Sequence, residues 1–228
     1  MEKIYNGIVL DCIDHKENNK LLTILTNQGK IQAICKGVKK AGSKLKNIAC
    51  PFCFAEFTIL EGKQNIVIGA NVYDSFFDLA LQYEKYLCGC VMLDLLNKTT
   101  ESQTILSSLL IELIKTLKFL CYENFSGIYL LVKFLLTYLE KIGYKLNTLT
   151  CGMCGKEINN HYLNVYDGSI LCSNCSLVNS LKLSQSQIDL LNNKDTALNK
   201  AEEIELLKGL GNTIYCLVNI KIKIEDLI

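Results

Sequence analysis

Two Cys-x-x-Cys motifs, separated by the seventeen residues 155–171, are the strongest chemical signal in this sequence. They supply Cys151 and Cys154, and then Cys172 and Cys175. Four thiolates at this spacing can close a tetrahedral site around a zinc ion, and such a site leaves no position for a catalytic water. Four ordinary cysteines, two disulfides or an iron–sulfur cluster are the alternatives. The spacing favours one structural zinc ion in a loop at residues 150–176.

A lysine-rich segment between residues 30 and 46 is the second signal, because it contains six lysines and no acidic residue. Ammonium groups spaced along a glycine-containing loop can follow a phosphate backbone and bind it without reading its sequence. A solvated loop kept basic for solubility is the alternative interpretation. The lysines lie at positions 30, 36, 39, 40, 44 and 46.

Other patterns that could support catalysis are weak. The segment Cys50-Pro51-Phe52-Cys53 looks like a thiol–disulfide motif, but such motifs act from a helix N-terminus and a strand is predicted to follow this one. His15 and His161 lie in unrelated polar segments, and the sequence contains no phosphate-binding GxxxxGK[ST] motif. We therefore expect a protein that is not an enzyme and binds no nucleotide.

Composition narrows the class of protein. Hydrophobic residues make up 50% of the chain and charged residues 21%, which is typical of a globular protein and excludes a disordered one. Twelve cysteines without a signal-like N-terminus indicate reduced thiols, so the eight outside the paired motifs are expected to behave as small buried hydrophobes. The longest apolar stretch is too short to span a membrane, and a cytoplasmic protein is expected.

The elements that must position these residues change character near residue 78. Strands are predicted over Ile4–Asp11, Leu21–Thr26, Lys30–Lys36, Phe52–Glu61 and Gln64–Asp74. Five short strands in so short a stretch predict a small closed barrel. Apolar residues then recur at three- and four-residue steps, which predicts helices over Leu79–Asn97, Thr104–Tyr122, Gly127–Ile142 and about 201–222. We expect one domain at residues 1–78 and a second at 79–228.

An ordered set of motifs resembles the RecO family of bacterial recombination mediators over essentially the full chain. In the barrel region these are Gly7-Ile8-Val9-Leu10, Glu17-Asn18-Asn19-Lys20-Leu21-Leu22, Lys36-Gly37-Val38-Lys39-Lys40 and Pro51-Phe52. Further along they are Phe134-Leu135-Leu136, Ile142-Gly143-Tyr144 and Cys151-x-x-Cys154-Gly155. The chain departs from the family pattern at Glu17-Asn18-Asn19, at Gly168-Ser169, and in using only lysine in its basic loop.

The resemblance implies an α+β protein with an N-terminal five-stranded OB-fold barrel, followed by an α-helical domain with an inserted four-cysteine zinc loop. It implies a non-enzymatic mediator that binds single- and double-stranded DNA and anneals complementary strands. With RecR, such a protein helps to load recombinase onto strands coated by single-strand-binding protein, through the tail of that protein. A cytoplasmic, nucleoid-associated location is expected. The expected DNA contacts are Lys36, Lys39, Lys40, Lys44 and Lys46, with Lys20 and Lys30 as outer candidates.

Two other classes of function remain open from the residues alone. The first is a zinc-ribbon protein-interaction adaptor without direct DNA binding, whose lysine loop is only a solvated surface. The second is a thiol oxidoreductase that uses Cys50 and Cys53. Salt-sensitive DNA binding with ATP-independent annealing would exclude the first, and a depressed thiol pKa is required for the second.

Overall fold

The structure, a computed structural model, describes residues 1–43 and 45–227. The chain forms two compact units, of which the first is Met1–Glu123 and the second begins at Asn124. The fold class is α+β, as predicted, because an N-terminal five-stranded sheet is followed by helices. Within the described residues, no helix combines the length and the apolar character needed to cross a membrane.

The first unit begins with five strands that close into a barrel. They are β1 (Glu2–His15), β2 (Asn19–Thr26), β3 (Gly29–Cys35), β4 (Phe54–Leu60) and β5 (Ile66–Asp74). The strands pair in the order β1-β2-β3-β5-β4, and β4 pairs back to β1. All neighbours are antiparallel except β3 and β5, which run parallel and pair only at Ile34–Ile66 and Cys35–Val67. All five predicted strands are therefore present.

Strand β1 is long because it pairs with two neighbours in succession. Residues 2–8 pair with β4 and residues 7–15 with β2, and the register shifts between Val9 and Asp11. Such a bulge bends a strand and increases its twist, which lets β1 pass from one neighbour to the other. The sequence predicted an end at Asp11, four residues early, because Ile13 and Asp14 are both exposed and the alternation of apolar and polar residues is lost there.

The barrel interior is filled by alternating apolar side chains, and one glycine on β1 allows its neighbours to approach. The fully buried side chains include Leu22, Ile24, Phe57 and Ile59. Gly7 pairs with Thr26 on one side and Ala55 on the other. A Cβ atom at position 7 would lie 2.6 Å from the carbonyl oxygen of Leu25, closer than any real contact of this kind. Position 7 therefore requires glycine.

Two helices belong to the same compact unit as the barrel. They are α1 (Tyr83–Lys98) and α2 (Gln103–Tyr122), and a 3₁₀ turn at Phe77–Leu81 precedes them. Helix α1 contacts β1, and α2 contacts β2 and β3. At Gly89 of α1, a Cβ atom would lie 2.8 Å from a ring carbon of Phe52, so this helix packs tightly on the segment before β4. A domain boundary at residue 78 is predicted from the sequence, whereas the compact unit continues to residue 123.

The second unit combines helices with a small sheet. Its described elements are α3 (Gly127–Lys141), β6 (Tyr162–Leu163), β7 (Ile170–Leu171), β8 (Leu181–Lys182), α4 (Gln185–Leu191), α5 (Lys200–Val218) and a 3₁₀ turn at Glu225–Leu227. The sheet order is β7-β6-β8, and α3 packs on α5. Helix α5 approaches the sheet closely at Gly209, where a Cβ atom would lie 3.1 Å from side-chain carbons of Leu163 and Leu181.

The second unit contains one helix that was not predicted and one that ends earlier than predicted. Helix α4 lies in a segment that the sequence analysis assigned to polar loop, and it begins at a capping box formed by Ser184 and Gln187. Helix α5 ends at Val218 rather than near residue 222, because Asn219 adopts a left-handed conformation with φ 56° and terminates the helical hydrogen bonds. Both differences depend on the capping residues at helix ends, which the spacing of apolar residues does not reveal.

The contact at Gly7 predicts a measurable cost for adding a single methyl group. Gly7→Ala should lower the free energy of unfolding of the first unit by about 1–3 kcal/mol, the usual range for overpacking. Gly69→Ala is the matched control, because nothing lies within 4 Å of a Cβ atom at that position of the same barrel. Urea denaturation of both variants measures the difference, and equal midpoints would contradict the proposed role of Gly7.

Candidate metal centre and basic surface

The four cysteines of the paired motifs converge in the second unit. Their sulfur atoms all lie within 4.8 Å of one another, and the Sγ atoms of Cys154 and Cys172 are 3.9 Å apart. Cys151 is buried, Cys154 is exposed, and Cys172 and Cys175 are half-buried. Four sulfur donors in this arrangement could hold a metal ion. The structure thus brings together the set of cysteines that the sequence spacing selected.

Two tight turns aim these sulfurs at a common point. In the first turn, the N–H of Gly155 donates to the carbonyl of Cys151 at 2.9 Å, and the N–H of Cys151 donates to the carbonyl of Lys156 at 2.8 Å. In the second, the N–H of Cys175 donates to the carbonyl of Cys172 at 3.1 Å. Gly155 has φ 70°, a left-handed conformation that glycine adopts without strain. The backbone hydrogen bonds of the two turns therefore orient the four sulfur atoms toward a common point.

The two turns are joined to each other by backbone contacts. The N–H of Gly152 donates to the carbonyl of Ile170 at 2.9 Å, and the N–H of Cys172 donates to the Sγ atom of Cys151 at 3.4 Å. A Cβ atom at position 152 would lie 2.7 Å from the Cβ atom of Ser169. Gly152 therefore lets the first turn lie directly against the strand that leads into the second.

The protonation preferences of the thiols are uneven. Hydrogen bonds from the backbone N–H groups of Cys154 and Cys172 lower the pKa of the Cys151 thiol to about 6. The hydrogen bond with Cys172 and the neighbouring sulfurs raise the pKa of Cys175 to about 12. A coordinated thiol is deprotonated outright, so a bound cation would remove this difference. In the absence of a cation, Cys151 is therefore more readily deprotonated than Cys175.

The lysine-rich segment forms the connection between β3 and β4, on the first unit. Lys36, Lys39, Lys40 and Lys46 are exposed there, and Lys44 lies outside the described residues. Lys36 and Lys40 line an open groove of about 660 Å³ together with Lys16, Asn18 and Asn19 of the β1–β2 turn. The N–H of Lys39 donates to the carbonyl of Asn18 at 3.3 Å, which holds the connection beside the turn.

Lys16 is a groove residue that was not among the lysines predicted to contact DNA. This lysine stands between His15 and Glu17, outside the acid-free run, and it reaches the groove only because β1 pairs with β2. A signal for it existed in the sequence, since a lysine in a turn beside Asn18 and Asn19 is exposed by default. Its position next to Lys36 depends on the register of three strands, which the sequence pattern does not give.

Lys39 and Lys20 are held by other groups of the first unit. The Lys39 ammonium pairs with the carboxylate of Asp14 at 2.7 Å, and this ion pair lowers the pKa of Asp14. The Lys20 ammonium donates to the carbonyl of Ala49 at 3.1 Å and lies 3.7 Å from the Sγ atom of Cys12. Exposed ion pairs are weak, so Lys39 can exchange partners, whereas Lys20 is half-buried against the loop.

The side chain of Lys30 connects β3 to the C-terminal end of α1. Its ammonium donates to the carbonyls of Leu96 at 3.2 Å and Asn97 at 2.8 Å, and also to the carbonyl of Thr99. These carbonyls lie at the C-terminal end of α1, where a cation is favoured by the helix dipole. Burial lowers the pKa of Lys30. Because all three of its donors are used here, the Lys30 ammonium has none left for a DNA phosphate.

The remaining cysteines and histidines form no catalytic arrangement in the described part of the chain. Burial raises the pKa of Cys53 to about 12 and also raises that of Cys50, which is opposite to the depressed thiol pKa that redox catalysis requires. Strand β4 follows this motif, as predicted. The Nε2 atom of His161 lies 2.9 Å from the carbonyl of Thr148. The expectation that all eight other cysteines are buried holds for four of them and is wrong for Cys216, which is exposed. The buried ones are Cys35, Cys53, Cys88 and Cys121, and Cys12, Cys50 and Cys90 are half-buried.

The contact between Gly152 and Ser169 yields a test of the metal centre. Gly152→Ala should force the two turns apart and weaken metal binding by about tenfold, which corresponds to about 1.4 kcal/mol of overpacking. The same substitution in a Ser169→Gly background should restore most of the affinity, because the obstructing side chain is gone. Competition with a chromophoric chelator measures all four proteins. An equal loss in both backgrounds would show that Ser169 is not the obstacle.

Both compact units resemble proteins of one known family. The family models described as Recombination protein O N terminal and Recombination protein O C terminal match residues 1–68 and 80–214. The chain is 33% identical over 221 residues to the DNA repair protein RecO of Clostridium acetobutylicum, covering 92% of this chain and 86% of that protein. Identity to the RecO of Clostridium perfringens is 31%, covering 92% of this chain and 87% of the relative. The chain belongs to the RecO family of DNA repair proteins.

Proposed function

We propose that this protein is a non-enzymatic mediator of DNA recombination and repair that binds single- and double-stranded DNA and anneals complementary strands. Family membership supports the repair role. The observation that carries the DNA-binding part is the cluster of exposed lysines on the β3–β4 connection, placed beside the β1–β2 turn. An exposed cationic surface of this kind attracts phosphates by charge and by counterion release.

We further propose that the barrel is an OB-fold and that residues 1–78 form the DNA-binding domain. The strand order β1-β2-β3-β5-β4 with closure onto β1, and a long bulged β1 shared by two neighbours, support this assignment. OB-folds bind nucleic acids with one strand face and the loops beside it. The proposed contacts are Lys36, Lys39, Lys40, Lys44 and Lys46, with Lys20 at the edge of the surface.

The metal of the four-cysteine centre is proposed to be a single structural zinc ion held by Cys151, Cys154, Cys172 and Cys175. Four thiolates are a preferred ligand set for structural zinc, which takes a tetrahedral geometry without an open position. The centre lies beside the β7-β6-β8 sheet, whose buried side chains include Leu163, Ile170 and Leu171. Zinc would stabilise this part of the second unit, and the predicted helical domain at residues 79–228 would be divided, because α1 and α2 pack on the barrel.

The proposed partners beyond DNA rest on the family alone. They are RecR and the tail of single-strand-binding protein, with which this chain would assist recombinase loading in the cytoplasm, at the nucleoid. A protein-interaction role for the zinc module has separate support. Met153, Leu177 and Val178 are exposed around the cysteines, and Val178 is completely open to solvent. Exposed apolar residues of this kind favour a protein contact, so an adaptor function is the second candidate.

The zinc assignment predicts the metal content of the purified protein. About one zinc ion per chain should remain after dialysis, as a closed four-ligand site requires. Cys172→Ser should lose the metal and lower the thermal stability of the second unit, because metal-binding free energy contributes to folding. Cys216→Ser is the control, since Cys216 is an exposed cysteine outside the cluster. Elemental analysis that finds no zinc in a stable wild-type protein would exclude the assignment.

The lysine surface predicts a salt-dependent and sequence-independent loss of DNA binding. Replacing Lys36, Lys39 and Lys40 together with glutamine should reduce the slope of log affinity against log salt by about 0.7 for each lost single-strand contact. The loss should be similar for unrelated sequences, because phosphates rather than bases are contacted. Fluorescence anisotropy at several salt concentrations measures both quantities.

The control for this experiment removes the same charge from the second unit. Lys182, Lys208 and Lys223 are exposed there and can be replaced together with glutamine. We expect this variant to bind with nearly wild-type affinity and slope. If the control loses binding while the first variant does not, the DNA surface lies on the second unit and the assignment to the barrel is wrong.

A further inference from the structure

Three lysines of the groove are distinguished from their neighbours by what surrounds them. Lys16, Lys36 and Lys40 line the groove and are exposed, and among the described residues none of them forms an ion pair. Lys39 is paired with Asp14, and Lys20 donates to a backbone carbonyl. The three ammonium groups that line the open groove are therefore free of ion pairs within the described part of the chain.

The backbone of the groove is fixed by hydrogen bonds between its two sides. The side-chain oxygen of Asn19 accepts from the N–H of Gly37 at 3.0 Å, and the carbonyl of Asn18 accepts from the N–H of Lys39 at 3.3 Å. These bonds link the β1–β2 turn to the β3–β4 connection. Lys16 on one side and Lys36 and Lys40 on the other are thus held across a common opening.

The described lining of this groove offers no surface on which a base can stack. Its side chains are lysine, asparagine and glutamate, and the whole chain contains no tryptophan and no arginine. The exposed ring of Tyr73 packs on Phe54, with ring centroids 5.1 Å apart. That pair lies at the end of β5 near Asp74, whereas Cys35, which precedes Lys36, pairs with Val67 near the opposite end of β5. Base–aromatic stacking is the usual contribution of single-strand sites, and it is missing from the lysine groove.

We propose that Lys16, Lys36 and Lys40 bind nucleic-acid phosphates in this groove. The bases then remain outside the groove, where they stack on no protein side chain and are free to pair. The proposal rests on the DNA-binding function proposed above and assigns Lys16 as a further binding residue. Contacts to phosphates alone carry no sequence information and are available in single and double strands. A strand held in this way presents its base edges to a complementary strand, which is the condition that annealing requires.

A backbone without bases tests the inference directly. The affinity for an oligonucleotide of abasic sites should match that for oligothymidylate of the same length within about twofold, because the same phosphates are bound. Lys16→Gln should weaken both ligands in parallel and reduce the salt slope by about 0.7. Lys118→Gln is the matched control, since Lys118 is an exposed lysine on α2 of the same unit. Its affinity for both ligands should equal that of the wild type.

The outcomes separate this inference from the function on which it rests. If the variant lacking Lys36, Lys39 and Lys40 binds DNA normally, the surface itself is misassigned and both proposals fail. If that variant is weakened but the abasic strand binds the wild type at least tenfold more weakly than oligothymidylate, bases are held and only the present inference fails. Unchanged binding by Lys16→Gln would remove Lys16 from the site. Permanganate reactivity of thymines in the bound strand should equal that of the free strand, and protection would contradict free bases.

Discussion

The close approach of three strands at Gly7 is the constraint on which the first unit depends. Because position 7 carries no side chain, β1 can pair there with β2 and β4 at once. Beyond this point the bulge bends β1, and its second half leads into the β1–β2 turn. Lys20 in β2 faces Cys35 at the end of β3, so this turn and the start of the lysine-rich connection meet. Strand pairing, and not proximity in sequence, assembles the basic groove.

In the second unit, glycines likewise permit close contacts around the candidate metal centre. Gly152 permits contact between the two cysteine turns, and Gly209 permits contact between α5 and the small sheet. The sheet strands contain only two residues each, which is too few for a stable sheet in isolation. Four convergent thiols on one side and a helix on the other compensate for that shortness. Helix packing therefore stabilises these short strands, and an ion held by the four cysteines would stabilise the same strands.

Local patterns predicted much of the fold, and their failures have a common cause. Runs rich in β-branched and aromatic residues between turn signals identified all five barrel strands. Three-to-four-residue spacing gave α2 and α3 nearly to the residue, and motif spacing selected the four cysteines. The second half of β1, the place of Lys16 in the groove and the helix-capping position of Lys30 were missed. Each depends on a partner distant in the chain, as with Lys30 and the end of α1 some 66 to 69 residues away. Periodicity carries no information about such pairings.

The contact between Lys30 and the end of α1 has a consequence for the cooperativity of folding. An isolated barrel would lack the carbonyls that accept hydrogen bonds from this half-buried ammonium, and Phe52 would lose its packing against α1. Both losses involve groups that are costly to expose or leave unpaired. The barrel and its two helices should therefore open together as one cooperative unit, with amide protons of β3 and α1 reporting the same free energy of opening in hydrogen exchange.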